Sequence, residues 1–320
     1  MLCIYLEEND PFFCLAAEEF LLKNFSEDIF MLWQSNDTVV VGKHQNVLGE
    51  INYRYIRENG ILVARRISGG GTVFNDSGNL NFSFIQNVNS PQEISFKKFT
   101  EPITNALKIL KIPAETSGRN DLLVKGKKIS GNAQHVFKNR VLHHGTLLFN
   151  SDLDKLRNAL HIIPGKYAGK AVNSNRSEVA NICDYLIVPL TLKEFILHLM
   201  NYQLLFRSDN HRFIIPPSDY DEINLLASQK FRTWDWQYGY SPEYTFSNSS
   251  EVDNRKLGIN LTIKKGMIIS ANVSGTFYQR DRIPELENLL LNKPHMYETI
   301  AEVHEKLGIY PDTDLIYLYF

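Results

Sequence analysis

Two arginines stand two residues ahead of three consecutive glycines in Arg65-Arg66-Ile67-Ser68-Gly69-Gly70-Gly71-Thr72-Val73-Phe74. Glycine has no Cβ, so the backbone can take φ > 0 and let a ligand approach its N–H groups closely. Successive N–H groups in such a loop form a concavity that suits an anion. Ser68 adds a hydroxyl, and the arginines add charge-assisted donors for phosphate or carboxylate. The stretch reads as an anion cradle beside an apolar wall. The competing reading is an ordinary surface turn, since glycine triplets also punctuate plain loops. No Gly-Lys-Ser/Thr follows and no GxGxxG opens a helix, so neither a Walker loop nor a dinucleotide fingerprint is present.

Three further stretches carry residues able to do chemistry: Gly118-Arg119-Asn120-Asp121, Lys128-Ile129-Ser130-Gly131-Asn132-Ala133 and His143-His144-Gly145-Thr146-Leu147-Leu148. The first reads as a turn, where Asp is also a common plain turn residue. The second carries one lysine, ordinarily a solvated charge. In the third, strand alternation puts His143 and His144 on opposite faces, so at most one of them points at a given site.

The elements that must position these residues follow from the apolar pattern. Leu2 to Leu6, Ile29 to Trp33, Thr38 to Gly42 and Ile61 to Ala64 read as strands, the last feeding the glycine loop. Pro11 opens a helix with Phe13, Ala17, Phe20 and Leu21 on one face. Asn52 to Asn59 is a short helix stopped by Gly60. Val73-Phe74, a turn at Asn75 to Gly78, and Asn79 to Ile85 predict a hairpin whose second arm has one buried face. Ser90-Pro91-Gln92-Glu93 predicts a capped helix start, with Phe96, Phe99, Ile103, Ala106 and Leu110 as the buried stripe. Leu122 to Val124, a Lys125-Gly126-Lys127 turn, the return through Lys128, and Val141 to Phe149 are further strands. Ser151 with Asp154, Thr191 with Glu194, and Ser218 with Asp221 predict three helix caps. Residues 162–177 read as a long loop, of a length that is often functional. Tyr238 to Ser250 shifts to Gly, Pro, Ser, Asn and Tyr and reads as a linker. Beyond it, Ile259, Leu261 and Ile263 with Ile269, Ala271 and Val273 predict a hairpin with one apolar face. Two helices follow, the last stopped by Gly308.

The bulk properties narrow the function. The chain has 320 residues, is 43% hydrophobic and carries a net charge of -2. That composition supports a sizeable core and argues against a partner bound through phosphate neutralisation, so no nucleic acid is expected. Three scattered cysteines, Cys3, Cys14 and Cys183, fit a reducing compartment rather than a disulfide framework or zinc site. Acidic residues interrupt the first stretch, so no signal peptide is expected. No apolar run reaches about 18 residues, so no membrane span is expected.

Taken together and in this order, the four stretches resemble the lipoate–protein ligases of the biotin and lipoate ligase superfamily. The resemblance runs from about Asn36 to Glu178, with weaker matches at the N-terminal helix and at Trp234-Asp235-Trp236. It implies an α+β fold: a mixed, largely antiparallel catalytic sheet of biotin/lipoate ligase type with a small C-terminal α+β domain. The expected division is 1–245 for the catalytic body and 246–320 for an accessory domain. It further implies a two-step reaction in the cytoplasm, with ATP and Mg²⁺ as cofactors. Lipoate is first activated to lipoyl-AMP. The lipoyl group then passes to a lysine of a lipoyl domain of a 2-oxoacid dehydrogenase complex or of the glycine-cleavage H protein.

By this resemblance Lys128 is the central catalytic lysine and also meets lipoate. Arg66, Ser68, Gly70, Gly71, Thr72, Val73, Phe74, Asn79, Asp121, Gly131 and Ala133 line the nucleotide or the adenylate. Arg65 faces solvent on the alternate side of its strand. Asp121 orients Lys128 or meets a phosphate through the metal. His144, or else His143, lines the lipoate pocket. The 164–177 loop, with Lys166, Lys170 and Arg176, could fold over the adenylate, although Asn175-Arg176-Ser177 matches the family only loosely. The residue chemistry agrees, since joining a carboxylate to a triphosphate needs fixed positive charge and oriented N–H groups.

Two rivals share parts of this pattern. An octanoyl or lipoyl transferase of the same fold needs no ATP and carries the acyl group on a cysteine thiolate. Only Cys183 lies in the right part of the chain, and Asp184 beside it does not favour a thiolate. A biotin ligase loop alternates Gly and Arg, which Ser68-Gly69-Gly70-Gly71 does not.

Overall fold

The apolar run Ile29–Trp33 (β2) and the longer Asn79–Asn87 (β6) pair antiparallel and form the middle of an eight-stranded sheet. The computed structural model describes residues 1–90, 93–118, 120–175, 177–309 and 313–320. Arg119, Arg176 and the Pro91-Gln92 part of the expected cap lie outside the described residues. The chain divides into two units, one of residues 1–43, 60–158 and 174–233, the other of residues 44–59, 159–173 and 234–320.

In the first unit, Leu2–Tyr5 (β1) and His211–Arg212 (β12) extend the sheet from β2 by parallel pairing. On the other side of β6 come Arg140–Leu148 (β10), Lys127–Phe137 (β9), Asp121–Val124 (β8) and Glu115–Ser117 (β7), all antiparallel. Lys125 and Gly126, at φ 49° and 80°, make the tight turn between β8 and β9. One face is covered by Phe96–Ile109 (α3) and Leu192–Phe206 (α5), whose Phe99, Ile103, Phe195 and Leu199 join Phe82, Phe84 and Leu147 in the core. The Thr191–Glu194 capping box starts α5 as expected. Pro11–Asn24 (α1), capped by Asp10, lies against β6 and β10. A three-stranded sheet joins Leu62–Arg65 (β4), Thr38–Val41 (β3) and Val73–Asn75 (β5).

Several expectations are corrected here. The predicted hairpin does not form: β5 pairs with β3, and β6 pairs with β2 and β10. β6 is accordingly buried on both faces rather than one. Helix α1 is buried almost all round, including Glu18 and Glu19. Asp152, not Ser151, caps the helix Leu153–Ala159 (α4), by accepting the N–H groups of Asp154 and Lys155. Pro217–Leu226 (α6) starts at Pro216 without a Ser218 cap.

In the second unit, Tyr244–Val252 (β13), Arg255–Lys264 (β14) and Met267–Gly275 (β15) form an antiparallel sheet, with Tyr167–Gly169 (β11) on the outer edge of β13. The polar stretch read as a linker is therefore largely strand. Part of the long loop is strand too. A bulge opposite Thr262 and Ile263 leaves Ile269 as the extra residue, so Ile268 is buried and Ile269 is 45% exposed. Tyr53–Glu58 (α2), Ile283–Leu290 (α7), Tyr297–Lys306 (α8) and Thr313–Tyr317 (α9) belong to the same unit. Among the described residues no helix is long and apolar enough to cross a membrane.

Candidate active site

The glycine loop is held by its own arginine. Arg66 ends up buried because strand β4 runs straight into the loop and turns its guanidinium inward. Nε donates to Ser68 Oγ at 3.0 Å, Nη1 to the Val40 carbonyl at 3.1 Å, and Nη2 to the carbonyls of Gly69 and Gly71 at 2.6 Å each. Burial pushes this guanidinium down to about 10, with nearby Glu18 acting in the opposite direction. Gly70 sits at φ 86°, where a side chain is strained. Its carbonyl lies 2.2 Å from where a Cβ on Gly42 would stand, so both glycines are needed for the close approach. Arg65, expected at the surface, is fully buried and donates to the carbonyls of Gly42 and Lys43. The correction has a simple cause, since β4 packs inside the unit and offers no solvent side at this position.

The loop is tied to the main sheet through His144. Its Nε2 lies 2.6 Å from Ser68 Oγ, and its Nδ1 lies 2.8 Å from Glu18 Oε2. Glu18 also accepts from Ser83 Oγ at 2.6 Å, and Trp33 Nε1 donates to that same hydroxyl at 3.3 Å. Ser68 Oγ thus accepts from Arg66 and meets His144 Nε2, while His144 Nδ1 meets the Glu18 carboxylate, so the ring bridges the loop and helix α1. A serine, a histidine and a carboxylate in this order resemble a nucleophilic triad. Ser68 and Glu18, however, are both fully buried, which makes the chain a support for the loop. His143 points to the other face, stacks on Phe99 with ring centroids 5.1 Å apart, and is held well below the usual imidazole range by burial.

Lys128 is aimed by a bulge. Ser130 pairs with Leu122 and Lys128 with Leu123, leaving Ile129 as the extra residue on β9. The backbone of Lys128 donates to the Glu178 carbonyl at 2.8 Å and accepts from Ala180 N–H at 3.0 Å, so a second segment fixes the bulge. The side chain crosses Gly131: a Cβ there would stand 3.1 Å from both Cε and Nζ. Nζ reaches Asp121 Oδ1 at 2.9 Å. That contact is an ion pair without hydrogen-bond alignment, since Asp121 Oδ1 has no hydrogen-bond partner among the described residues. By strand parity Gly131 and Ala133 share the His144 face, and Ala133 Cβ lies 3.6 Å from where a Cβ on Gly70 would stand. The glycine loop, His144 and Lys128 thus meet on one face of β9 and β10.

The other expected residues fall into two groups. Thr72 N–H donates to Ser174 Oγ at 2.8 Å, and Ser174 also abuts Gly71. Val73 is half-buried, while the Phe74 ring is buried in β5. Asn79 Nδ2 donates to Asn75 Oδ1 at 2.9 Å. Asn75 Nδ2, Asn79 Oδ1 and Asn81 Nδ2 are buried without a hydrogen-bonding partner among the described residues. Buried polar atoms left in this state suit a polar ligand. Asn81 faces Trp33 on one side and Thr146 on the other, in the sheet row that continues to Gly131. Reading the sequence missed Glu18, Asn81, Ser174 and Asn132. Only Glu18 left a signal, as a carboxylate in a helix with no polar face.

The comparisons with known proteins bear on this geometry. Residues 10–203 match the lipoyl protein ligase A/B catalytic domain, and residues 241–313 match the bacterial lipoate protein ligase C-terminus. The chain is 39% identical over 307 residues to lipoate-protein ligase LplJ of Bacillus subtilis, covering 94% of this chain and 92% of that protein. It belongs to the lipoate–protein ligases. The reaction is that of an enzyme, a ligase, and the transferase alternative is set aside. Among solved structures, a bipartite lipoate protein ligase of Thermoplasma acidophilum, described with its E2 lipoyl domain, is 26% identical with a TM-score of 0.65. It covers 75% of this chain and 96% of its own. A lipoate-protein ligase A bound with ATP is 25% identical with a TM-score of 0.64, covering 75% of this chain and 98% of that one. The mixed α+β ligase fold expected from the four motifs is the fold observed.

Proposed function

We propose that this ligase activates lipoate with ATP at the face shared by the glycine loop and β9. The observation that carries the reading is Lys128, whose ammonium is held over Gly131 beside Asp121, on the strand that the loop's Gly70 approaches at Ala133. In the first step a lipoate carboxylate oxygen attacks the α-phosphorus, pyrophosphate leaves, and a mixed anhydride forms. Lys128 offsets the negative charge that gathers between the two anions, in a place already fixed before reaction. The glycine loop supplies N–H groups, and Asn75, Asn79 and Asn81 supply the unpartnered amide atoms that suit the ligand. In the second step an acceptor lysine amine attacks the acyl carbon, AMP leaves, and an amide forms. A mixed carboxylic–phosphoric anhydride is prone to hydrolysis, so exclusion of water from the intermediate matters.

Among the described residues no cluster of three His, Cys, Asp or Glu is arranged for a metal ion. Magnesium usually keeps water and relies on substrate phosphates, which fits a single nearby carboxylate, Asp121. Bound there, it would neutralise phosphate charge. The acceptors are lipoyl domains of 2-oxoacid dehydrogenase complexes and the H protein, met in the cytoplasm. Residues 246–320 serve as an accessory domain to the catalytic body of residues 1–245. The test is lipoylation of an apo lipoyl domain with free lipoate. ATP-dependent transfer lost in Lys128→Ala supports the reading, whereas transfer that persists in the variant removes Lys128 from the chemistry.

A further inference from the structure

We infer that Asn120 and Asn132 form a positioning bracket that sets the Asp121–Lys128 pair for the adenylation step. The inference rests on the reading of Lys128 given above. The last strand pair between β8 and β9 is Asp121 opposite Gly131, and beyond it one backbone bond and two side-chain bonds join the two chains. Asn132 N–H and Nδ2 both donate to the Asn120 carbonyl, at 3.0 Å and 2.8 Å, and Asn120 Nδ2 donates back to the Asn132 carbonyl at 2.9 Å. The two residues next in sequence, Asp121 and Gly131, are the acid that meets Lys128 Nζ and the glycine that the lysine crosses. A bracket at this end of the ladder therefore fixes the distance between the two chains that carry the ion pair.

The surroundings hold the Asn132 amide in one orientation. Its Nδ2 also donates to buried Ser130 Oγ at 3.2 Å. Its Oδ1 accepts from His143 Nε2 at 3.3 Å, a ring whose Nδ1 accepts from Gln134 Nε2 at 3.0 Å. Gly145 leaves room for this oxygen, since a Cβ there would stand 2.2 Å from it. Asn132 is 5% exposed, so its amide works as a support and not as a ligand contact. Asn132→Asp keeps the size and puts an oxygen against the Asn120 carbonyl, where two acceptors repel. Asn120→Ala removes one bond at a half-buried turn and leaves the rest.

The experiment is lipoate-dependent ATP–pyrophosphate exchange on the full chain, with thermal unfolding measured alongside. Asn132→Asp should lower kcat about 30-fold, and Asn120→Ala a few-fold, because small misplacements near the chemistry cost rate steeply. KM for ATP and lipoate should stay within about twofold of wild type, since binding groups are untouched. Combining Asn132→Asp with Lys128→Ala should cost no more than Lys128→Ala alone, because the bracket acts through the lysine. Unchanged kcat in both asparagine variants, a loss confined to KM, or losses that multiply in the double variant would overturn the inference. Should Asn132→Asp fail to fold, Asn120→Ala alone and combined with Lys128→Ala decides the matter. Exchange retained by Lys128→Ala would instead sink the reading of Lys128, and this inference with it.

Discussion

Lys128 Nζ and Asp121 Oδ1 stand 2.9 Å apart, each side chain a little over one-fifth exposed, across the one position on β9 that has no side chain. The lysine is thus near water but already directed. Replacing it with alanine should reduce adenylation on the order of 100-fold or more, the range seen when a preorganised charge is removed from a transition state. Thermal stability should change little, because an ion pair that still reaches water contributes little to folding. Asp121→Asn should cost less than Lys128→Ala, as the ammonium then keeps its charge and loses only its guide. A variant series in which Asp121→Asn proved worse than Lys128→Ala would point to the carboxylate as the group that meets the phosphate, through a metal ion.

Gly131 supplies a sharper version of the same argument. The added methyl of Gly131→Ala meets only the flexible end of Lys128, at 3.1 Å, and no backbone. Folding should survive, while Nζ is displaced from its path. We expect about a tenfold loss in pyrophosphate exchange, since misplacement by an ångström or less can cost one to two orders of magnitude. Equal exchange rates in Gly131→Ala and wild type, measured with unfolding midpoints that also match, would show that the crossing of Gly131 is incidental.

Arg66 should behave in the opposite way. Four of its donors end on the loop and on Val40, so Arg66→Lys keeps the charge but loses the fork that closes the loop. Unfolding free energy should fall by roughly 3 kcal/mol, the scale for breaking buried, charge-assisted bonds. Exchange activity should fall together with stability. Denaturant unfolding followed by exchange assays on the same preparations distinguishes this from Lys128→Ala, where activity alone is lost.

How far the sequence disclosed this site depended on whether one strand or several decide a residue's place. Lys128, Gly131 and His144 stand out in the sequence through the motifs that resemble the family, and local pattern adds only the alternation that separates the two histidines. The hairpin of β5 and β6 failed because both arms are apolar and the turn is real, yet β3 competes for β5, which no local signal reveals. In β15 one bulge reversed the parity, so Ile268 and not Ile269 faces inward. Glu18 escaped notice because its partner His144 lies 126 residues away, and only the folded sheet joins them. Asn81 and Asn132 look like ordinary strand polar residues until the neighbouring strands are in register.

The rejected cysteine route also makes a prediction. Cys183 is raised above its ordinary range by burial and by Asp184 beside it, and it faces the Asn150 side-chain oxygen at 3.5 Å. A thiol held protonated is a poor acyl carrier at neutral pH. Cys183→Ser should therefore leave ATP-dependent lipoylation of an apo lipoyl domain near the wild-type rate. A collapse of transfer in that variant, with exchange intact, would reopen a thioester step after adenylation.

The last prediction concerns acid. In the second unit His295 is buried, its Nε2 donating to the Tyr319 carbonyl at 2.6 Å and its Nδ1 accepting from Tyr244 O–H at 2.9 Å. Both ring nitrogens are committed in the neutral form, and burial pushes the imidazolium down to about 4. The unfolded chain takes up a proton near the ordinary value of about 6.5, before the folded chain does. Stability from the neutral ring is therefore complete above that pH and is lost as pH falls towards 4. The shift corresponds to roughly 3 kcal/mol at full extent. His304, likewise held low by burial and donating to the Ile300 carbonyl, adds to the loss in the same direction. His295→Gln can keep one donor for Tyr319 and one acceptor for Tyr244 but does not titrate. Chemical unfolding between pH 7.5 and 4.5 should show a shallower acid loss in His295→Gln than in wild type. Parallel curves for the two proteins would mean that the acid sensitivity of this ligase resides elsewhere.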